Sequence, residues 1–182
     1  MNSAVKKKTK QKIKGFSLIE IVIGGFILAA GVVAVLGLMA SNLSYSFGAR
    51  NHEIASLLAQ EGVELARNIR DNNWASSNDS FNNFPGSDNS NCRIDMSSTS
   101  LQCGGSSKGL NLSGGFYVHS GGTATRFSRK IEIDYQPGGD IAEITSIVIW
   151  KGSLPNDPNY DDCNASTYCA FTRVSLGRWG ED

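Results

Sequence analysis

The chain has 182 residues, which is enough for one ordinary domain and hardly for two. Its 17 basic and 17 acidic side chains cancel, but six lysines fall within the first 15 residues, so the remainder carries a net charge of −6. An acidic body argues against a nucleic-acid-binding surface over the whole domain, because phosphate contacts need clustered lysine and arginine. A local basic patch of Arg126, Arg129 and Lys130 stays open.

The first predicted element is an apolar helix that follows the basic leader, residues 1–15. Residues 16–40 contain no proline and a single charge, Glu20, and this length is enough to span a bilayer. Lysines precede this stretch and no comparable cluster follows it, which places the N-terminus in the cytoplasm and the C-terminal domain outside. The sequence therefore predicts a single-pass membrane segment.

A cleavable secretory signal is the competing interpretation, with Leu38-Met39-Ala40 as its cleavage site. The apolar stretch is longer than the usual signal core of about 7–15 residues. Inserting an ionised carboxylate into a membrane helix would also cost about 2.5–3.5 kcal/mol. The presence of Glu20 therefore indicates a function or a partner for that side chain.

Residues 41–70 are predicted to continue as a helix with one apolar and one polar face. Apolar and small side chains recur at helical spacing along one stripe, which contains Ile54, Ala55, Leu57, Leu58, Gly62, Leu65, Ala66 and Ile69. Asp71-Asn72-Asn73 then supplies turn residues that compete with helical hydrogen bonds. The helix is therefore expected to end near Arg70.

The leader and the apolar helix meet in a short motif, Lys14-Gly15-Phe16-Ser17-Leu18-Ile19-Glu20. This motif resembles the processing site of type IV prepilins and pseudopilins. The resemblance implies that a prepilin peptidase cuts after Gly15 and methylates the new N-terminal amine of Phe16. It also implies that Glu20 pairs with the N-terminus of a neighbouring subunit during filament assembly. The family often has a proline near the position of Gly37, and this sequence has none there.

Residues 71–115 differ sharply in composition, since 29 of the 45 are Asn, Ser, Gly or Asp. They show no hydrophobic period, so the segment is predicted to be one long surface loop. Four apolar side chains are expected to pin this loop to the domain: Phe81, Phe84, Ile94 and Leu101.

Residues 116–182 carry the patterns of β-strands. Strands are predicted at residues 116–118, at 127–135 with alternating polarity, at 144–150 with apolar residues on both faces, and at 171–176. We therefore expect an α+β fold in which a three- or four-stranded antiparallel sheet packs on the amphipathic half of the helix. The helix side chains expected to face the sheet are Ile54, Leu58, Leu65 and Ile69. This arrangement of helix, connecting loop and sheet resembles the pilin architecture.

The sequence contains four cysteines: Cys92, Cys103, Cys163 and Cys169. In an exported domain an even number favours disulfides, and three pairings are possible. Pairing sequence neighbours makes the smallest demand on the fold. A zinc site is the alternative, but there is no C-x-x-C pair, and His52 and His119 lie on a predicted helix and a predicted strand.

A calcium site is a further hypothesis, because Asp157, Asn159 and Asp161 alternate as the oxygen ligands do at the start of a calcium loop. The sixth position lacks glycine, and the bidentate glutamate is missing. Some pseudopilins of secretion systems have a calcium site in the C-terminal loop, so the resemblance adds to this hypothesis. A solvated turn around Pro155 and Pro158 is the alternative. No other cofactor is predicted.

The sequence shows neither a G-x-S-x-G motif nor a phosphate-binding glycine loop, so no enzymatic activity is predicted. Two functions remain. The first is a filament subunit, as a major pilin, minor pilin or pseudopilin of a type IV pilus or pseudopilus at the cell surface. The second is a membrane-anchored extracellular binding module that does not polymerise.

The position of Glu20 favours the filament subunit, because a plain anchor gains nothing from an acid in its apolar span. The expected partners are then the prepilin peptidase, the membrane and other subunits of a helical filament. No nucleic acid or small-molecule ligand is predicted.

Overall fold

A computed structural model describes residues 15–85, 89–104, 108–135, 138–152, 163 and 167–178. The chain forms one helix, α1 (Leu18–Ala75), and a seven-stranded antiparallel sheet. The strands are β1 (Asn89–Arg93), β2 (Gln102–Cys103), β3 (Gly109–Ser113), β4 (Phe116–Val118), β5 (Thr123–Tyr135), β6 (Ile141–Ile149) and β7 (Cys169–Gly177). Residues 1–45 and residues 46–182 are two separate compact units.

The described part of the first unit is the beginning of α1. Its large apolar side chains are all exposed, and none of the most apolar stretch of α1 is buried. By length and composition this helix is long and apolar enough to cross a membrane. The absence of proline allows it to continue without a break past residue 40.

The second unit is organised around β5, the longest strand. Along one side, residues 128–135 of β5 pair with residues 142–149 of β6, and β6 pairs in turn with β7. Along the other side, the first part of β5 pairs with β3 and its second part with β1. The short strands β4 and β2 extend the sheet beyond β3 and β1.

The main core of this unit lies between the second half of α1 and one face of the sheet. The buried helix face consists largely of small or branched side chains: Ala55, Leu58, Ala59, Gly62, Val63, Ala66 and Ile69. Opposite them lie alternate residues of β5 and β6, as the period of two in a strand requires. On the other face of the sheet, Ile147, Ile149 and Cys169 form a small second cluster, so β6 is buried on both faces as the sequence predicts for a central strand.

The expectation of three or four strands is wrong, because the sheet has seven. The three unexpected strands, β1, β2 and β3, all lie in residues 71–115, which were predicted to be a loop. The residues of β1, Asn-Ser-Asn-Cys-Arg, give no alternating pattern. The strands β1 and β3 form because β5 offers hydrogen-bonding partners, and β2 pairs in turn with β1. The four apolar residues predicted to pin this segment, Phe81, Phe84, Ile94 and Leu101, are indeed buried.

The helix also differs in detail from the prediction. It ends at Ala75 rather than near Arg70, and the Asn73 side chain at its end donates hydrogen bonds to the carbonyls of Ser80 and Asn82. Leu58 and Ile69 face the sheet as expected, whereas Ile54 and Leu65 are only partly buried. Leu57 is 60% exposed, because the helix face that contacts the sheet is narrower than the predicted apolar stripe and contains alanine and glycine.

Gly62 marks the closest approach of α1 to the sheet. A Cβ atom at this position would collide with Ser146 Oγ and lie 3.0 Å from Ile131 Cδ1. Gly62→Ala should therefore destabilise the domain by about 1–3 kcal/mol through overpacking. Thermal unfolding of the full chain in detergent micelles, followed by circular dichroism, measures the change.

Gly48→Ala is the matched control, because a Cβ atom at residue 48 of the same helix meets nothing within 4 Å. This control should stabilise the chain by about 0.5–1 kcal/mol through helix propensity alone. Ser146 Oγ makes no hydrogen bond within the described residues, so adding Ser146→Ala to Gly62→Ala should recover part of the loss. Equal effects of the two glycine substitutions would contradict the close approach.

Candidate functional site

The first candidate site is the start of α1. Gly15, Phe16 and Ser17 precede the helix, and the Ser17 carbonyl accepts hydrogen bonds from the backbone N–H groups of Glu20 at 3.0 Å and Ile21 at 3.3 Å. Ser17 is therefore the N-cap residue, and Glu20 stands three positions later, in the first turn of the helix. This local sequence explains why the helix begins at Leu18 and not at the glycine.

The bond between Gly15 and Phe16 lies in an open, non-helical segment. Phe16 is 79% exposed, and no other part of the described chain lies within 4 Å of the position that a Gly15 Cβ would occupy. A proteolytic enzyme needs an extended, accessible stretch around the bond that it cuts. The geometry therefore suits cleavage between these two residues.

Glu20 is the only charged residue in the apolar stretch, and its carboxylate is exposed. Within the described residues it makes no hydrogen bond and no ion pair. Ile19 and Ile21 on either side are also exposed. A negative charge is stabilised in the first turn of a helix by the unpaired backbone N–H groups there. The side chain is thus held at the helix start with its oxygen atoms open to a partner.

The following turns of α1 present an apolar surface without a cover. A shallow groove of about 420 Å³ is lined by apolar residues, among them Ile27, Gly31, Val35 and Met39. Gly24, Gly25, Gly31 and Gly37 all face open space. Water solvates such a surface poorly, and small residues let a second helix approach closely in lipid. This surface is therefore suited to lipid tails or to other helices.

Two disulfides close loops in the second unit. Cys92 bonds to Cys103, where β1 and β2 pair, and Cys163 bonds to Cys169 at the start of β7. These are the sequence-neighbour pairs, and no cysteine is left free. Strand β2 has only two residues and so pairs with β1 over a short length. The disulfide between Cys92 and Cys103 adds a covalent link that holds β2 against β1.

A buried polar network joins the helix to the sheet through Arg129. This fully buried guanidinium donates to the Leu58 carbonyl at 3.2 Å, to Glu61 Oε1 at 3.1 Å and to the Ile94 carbonyl at 2.9 Å. On its other side, the Arg129 carbonyl lies 3.3 Å from His119 Nε2. The arginine is therefore a structural cross-link and not a contact for an external anion.

The proposed basic patch of Arg126, Arg129 and Lys130 is not present as a surface. Arg126 is exposed, but Arg129 is fully buried, and Lys130 is buried in a 2.6 Å ion pair with Glu132. Successive residues of a strand point to opposite faces, so three neighbouring cations cannot share one surface. The nearby Lys108 amine is also buried, and burial, followed by repulsion from Arg93 and Lys130, lowers its pKa.

His119 and Asp95 form a pair that no sequence pattern signals, because they lie 24 residues apart. His119 Nδ1 lies 2.6 Å from Asp95 Oδ1, and the same oxygen accepts the His119 backbone N–H at 2.9 Å. The Arg129 backbone carbonyl lies on the other side of the imidazole, near Nε2. The pair therefore ties the loop after β1 to the segment that follows β4.

The described residues contain no group of three or more His, Cys, Asp or Glu side chains placed to hold a metal ion. The calcium candidates Asp157, Asn159 and Asp161 lie outside the described residues. Within the described residues, the geometry around His52 and His119 offers no zinc site with the cysteines, since all four are in disulfides.

Comparison with known proteins adds no relative. No family model matches the chain, and no curated protein or solved structure matches it. Any functional assignment therefore depends on the residues and geometry described above.

Burial lowers the pKa of the His119 imidazole below its ordinary value of about 6.5, although the hydrogen bond to Asp95 opposes this shift. The unfolded chain therefore binds the proton first as the pH falls. The stability contributed by neutral His119 is complete above about pH 6.5 and is lost progressively below it. His119→Gln should accordingly show a smaller loss of stability between pH 7 and pH 5 than the wild-type chain.

The measurement is the free energy of unfolding of the full chain in micelles, determined at several pH values by chemical denaturation. His52→Gln is the comparison variant, because it removes the other histidine and leaves the His119 contacts in place. An unchanged pH slope in His119→Gln would show that another group causes the acid sensitivity.

Proposed function

We propose that the chain is a structural subunit of a type IV pilus-like filament, either a pilin or a pseudopilin. A prepilin peptidase cuts it after Gly15, and the new N-terminal amine of Phe16 is methylated. Before assembly the chain crosses the membrane once, with its leader in the cytoplasm and its C-terminal domain outside. It then leaves the membrane by packing α1 among the helices of other subunits at the cell surface.

The observation that carries this proposal is the Glu20 carboxylate at the head of an uncovered apolar helix. It has no partner within the described residues, and an unpaired charge is costly in an apolar medium. After cleavage after Gly15, the Phe16 amine of another subunit supplies the opposite charge, with an ordinary pKa of about 7.7–8.0. One cut therefore creates the partner that Glu20 needs.

The uncovered surface of α1 supports the same proposal. Lipid tails cover it in the membrane, and apolar surfaces of neighbouring helices replace them in the filament. The glycines along this surface permit close helix contacts. The membrane interior and the filament core have similar polarity, so moving α1 from one to the other changes its free energy little. Little apolar surface of the helix is exposed to water in either environment.

The first test concerns processing. The mature protein from native cells should begin at Phe16 and carry an N-methyl group, because six lysines from the leader would otherwise enter the apolar helix packing. Intact-mass analysis of the purified protein measures its N-terminus. A chain that begins at Ser41, as expected for a cleaved secretory signal, or one that keeps its lysines, would refute the proposal.

The second test concerns Glu20. Glu20→Ala and Glu20→Gln should leave membrane insertion and cleavage intact but exclude the subunit from filaments. Removing one partner of a buried ion pair costs about 3–5 kcal/mol, and this loss recurs at every subunit contact. The amount of protein in sheared filaments is compared with that in membranes for each variant in the same strain.

Glu53→Ala is the matched control, since Glu53 is an exposed glutamate on the same helix without a hydrogen bond or ion pair within the described residues. It should enter filaments as the wild type does. Equal recovery of the Glu20 variants in filaments would remove the role assigned to Glu20. A non-polymerising anchored binding module would then be the better explanation.

A further inference from the structure

A polar cleft opens in the second unit between the end of α1, the loop that follows it and the loop between β1 and β2. Its volume is about 410 Å³, within the range of small-molecule sites. Ten residues line it: five asparagines, three serines, one threonine and one isoleucine. Nine of the ten side chains therefore carry an amide or a hydroxyl, and none carries a charge.

The walls of this cleft are held in place by hydrogen bonds within them and by packing beneath them. The Asn73 amide donates to the carbonyls of Ser80 and Asn82, at 3.2 Å and 2.7 Å. The rings of Phe81 and Phe84 are buried beneath the same loop. These contacts fix one wall before any ligand arrives.

The opposite wall belongs to the loop between β1 and β2. The disulfide between Cys92 and Cys103 closes this loop, and Ser98 Oγ accepts the Asp95 backbone N–H at 3.1 Å. Its ends are anchored by the buried side chains of Ile94 and Leu101. A preorganised cleft loses little conformational entropy on binding, so even modest contacts yield measurable affinity.

Several polar groups in the cleft are available to a ligand. The side-chain amides of Asn78, Asn82 and Asn83 make no hydrogen bond within the part of the chain that the structure describes, and neither do the hydroxyls of Thr99 and Ser100. An asparagine amide offers one acceptor oxygen and two donor hydrogens, and a hydroxyl both donates and accepts. The site thus presents donors and acceptors side by side.

The electrostatic character of the cleft selects a neutral ligand. Among the described lining residues an anion would find no lysine or arginine, and the C-terminal end of α1 contributes a partial negative charge. A cation would find no carboxylate among the same described residues. An apolar compound would leave the amides without partners, which is costly.

We propose that this cleft binds a neutral carbohydrate. Vicinal sugar hydroxyls donate and accept at closely spaced positions and so match neighbouring amide and hydroxyl side chains. Ile69, the one apolar residue of the described lining, is only 3% exposed and lies beneath the polar groups, so hydrogen bonds and not apolar contacts dominate the site. A peptide fits less well, because the described lining has no further apolar surface to receive its side chains.

The described lining of the cleft contains no aromatic ring, so one sugar should bind with a dissociation constant in the millimolar range. If the chain polymerises as proposed above, many copies on one filament would raise the avidity for a polymeric glycan. Binding by a single chain does not depend on polymerisation. A failure of the filament proposal and a failure of this one are therefore distinguishable.

The experiment uses the full chain in phospholipid nanodiscs, because detergents with sugar headgroups would compete for the cleft. Saturation-transfer NMR is recorded with maltose, lactose, mannobiose and chitobiose as separate probes. We expect saturation of the ring protons of at least one of them. The double variant Asn78→Ala/Asn82→Ala should bind that sugar about tenfold more weakly, because it removes two neutral hydrogen-bonding side chains.

Asn91→Ala is the matched control, since Asn91 is an exposed asparagine on β1 outside the cleft and should bind as the wild type does. Asn78 and Asn82 take part in local hydrogen bonds only through their backbone, so an unchanged circular dichroism melt is expected for the double variant. Absence of saturation with all four sugars, or equal binding by the double variant and the wild type, would overturn the proposal. Equal binding of a capped Gly-Ser tetrapeptide would also overturn it.

Discussion

The close contact between α1 and the sheet is the constraint on which the second unit depends. Gly62 lets the helix backbone approach Ser146. Alanines at positions 55, 59 and 66 on the same face also have short side chains, so the helix can lie close to the sheet along this face. Because the helix lies so close, the Arg129 side chain of β5 reaches both the Leu58 carbonyl and Glu61. The same guanidinium reaches the Ile94 carbonyl and thereby connects the helix to the segment that carries β1 and β2. A larger residue at position 62 would therefore disturb the polar network as well as the apolar core.

The sequence predicts the elements with several large apolar residues and fails for those whose residues are mostly polar, even where such a strand buries Cys92 or Leu110. The positions of α1, the second part of β5, β6 and β7 follow from hydrophobic periods, because side chains facing one core must recur at 3.6 or 2 residues, and β4 follows from its Phe-Tyr-Val run. β1 and β3 consist mostly of asparagine, serine and glycine, and their strand conformation comes from pairing with β5. The paired residues are about 10 to 45 positions apart in the chain, and such pairing leaves no local pattern. The same reason hides the pair of His119 and Asp95 and the polar cleft, whose walls meet only in the folded chain.

The start of α1 is the opposite case, since its motif is entirely local. Ser17, a residue of the suggested processing motif, occupies the N-cap position, so the motif contains the start of the helix. The sequence could therefore locate the accessible bond between Gly15 and Phe16 and the exposed carboxylate. It could not show that Glu20 has no partner within the described residues. The missing partner matters because an unpaired carboxylate is costly in an apolar medium, and assembly with another subunit would supply the opposite charge.

The proposed roles of the two units make different demands on their residues. Under the proposal, packing into a filament core requires apolar surface and one charge whose partner arises on cleavage, and residues 15–45 carry exposed apolar side chains and the Glu20 carboxylate. A carbohydrate cleft requires fixed polar walls, and the second unit obtains them from a disulfide, two phenylalanine rings and the Asn73 amide. Substitutions that remove Glu20 leave these walls unchanged, and substitutions at Asn78 or Asn82 leave the apolar surface of α1 unchanged. The residues proposed for filament assembly and those proposed for sugar binding lie in different parts of the chain. A variant that loses one of these activities should therefore keep the other.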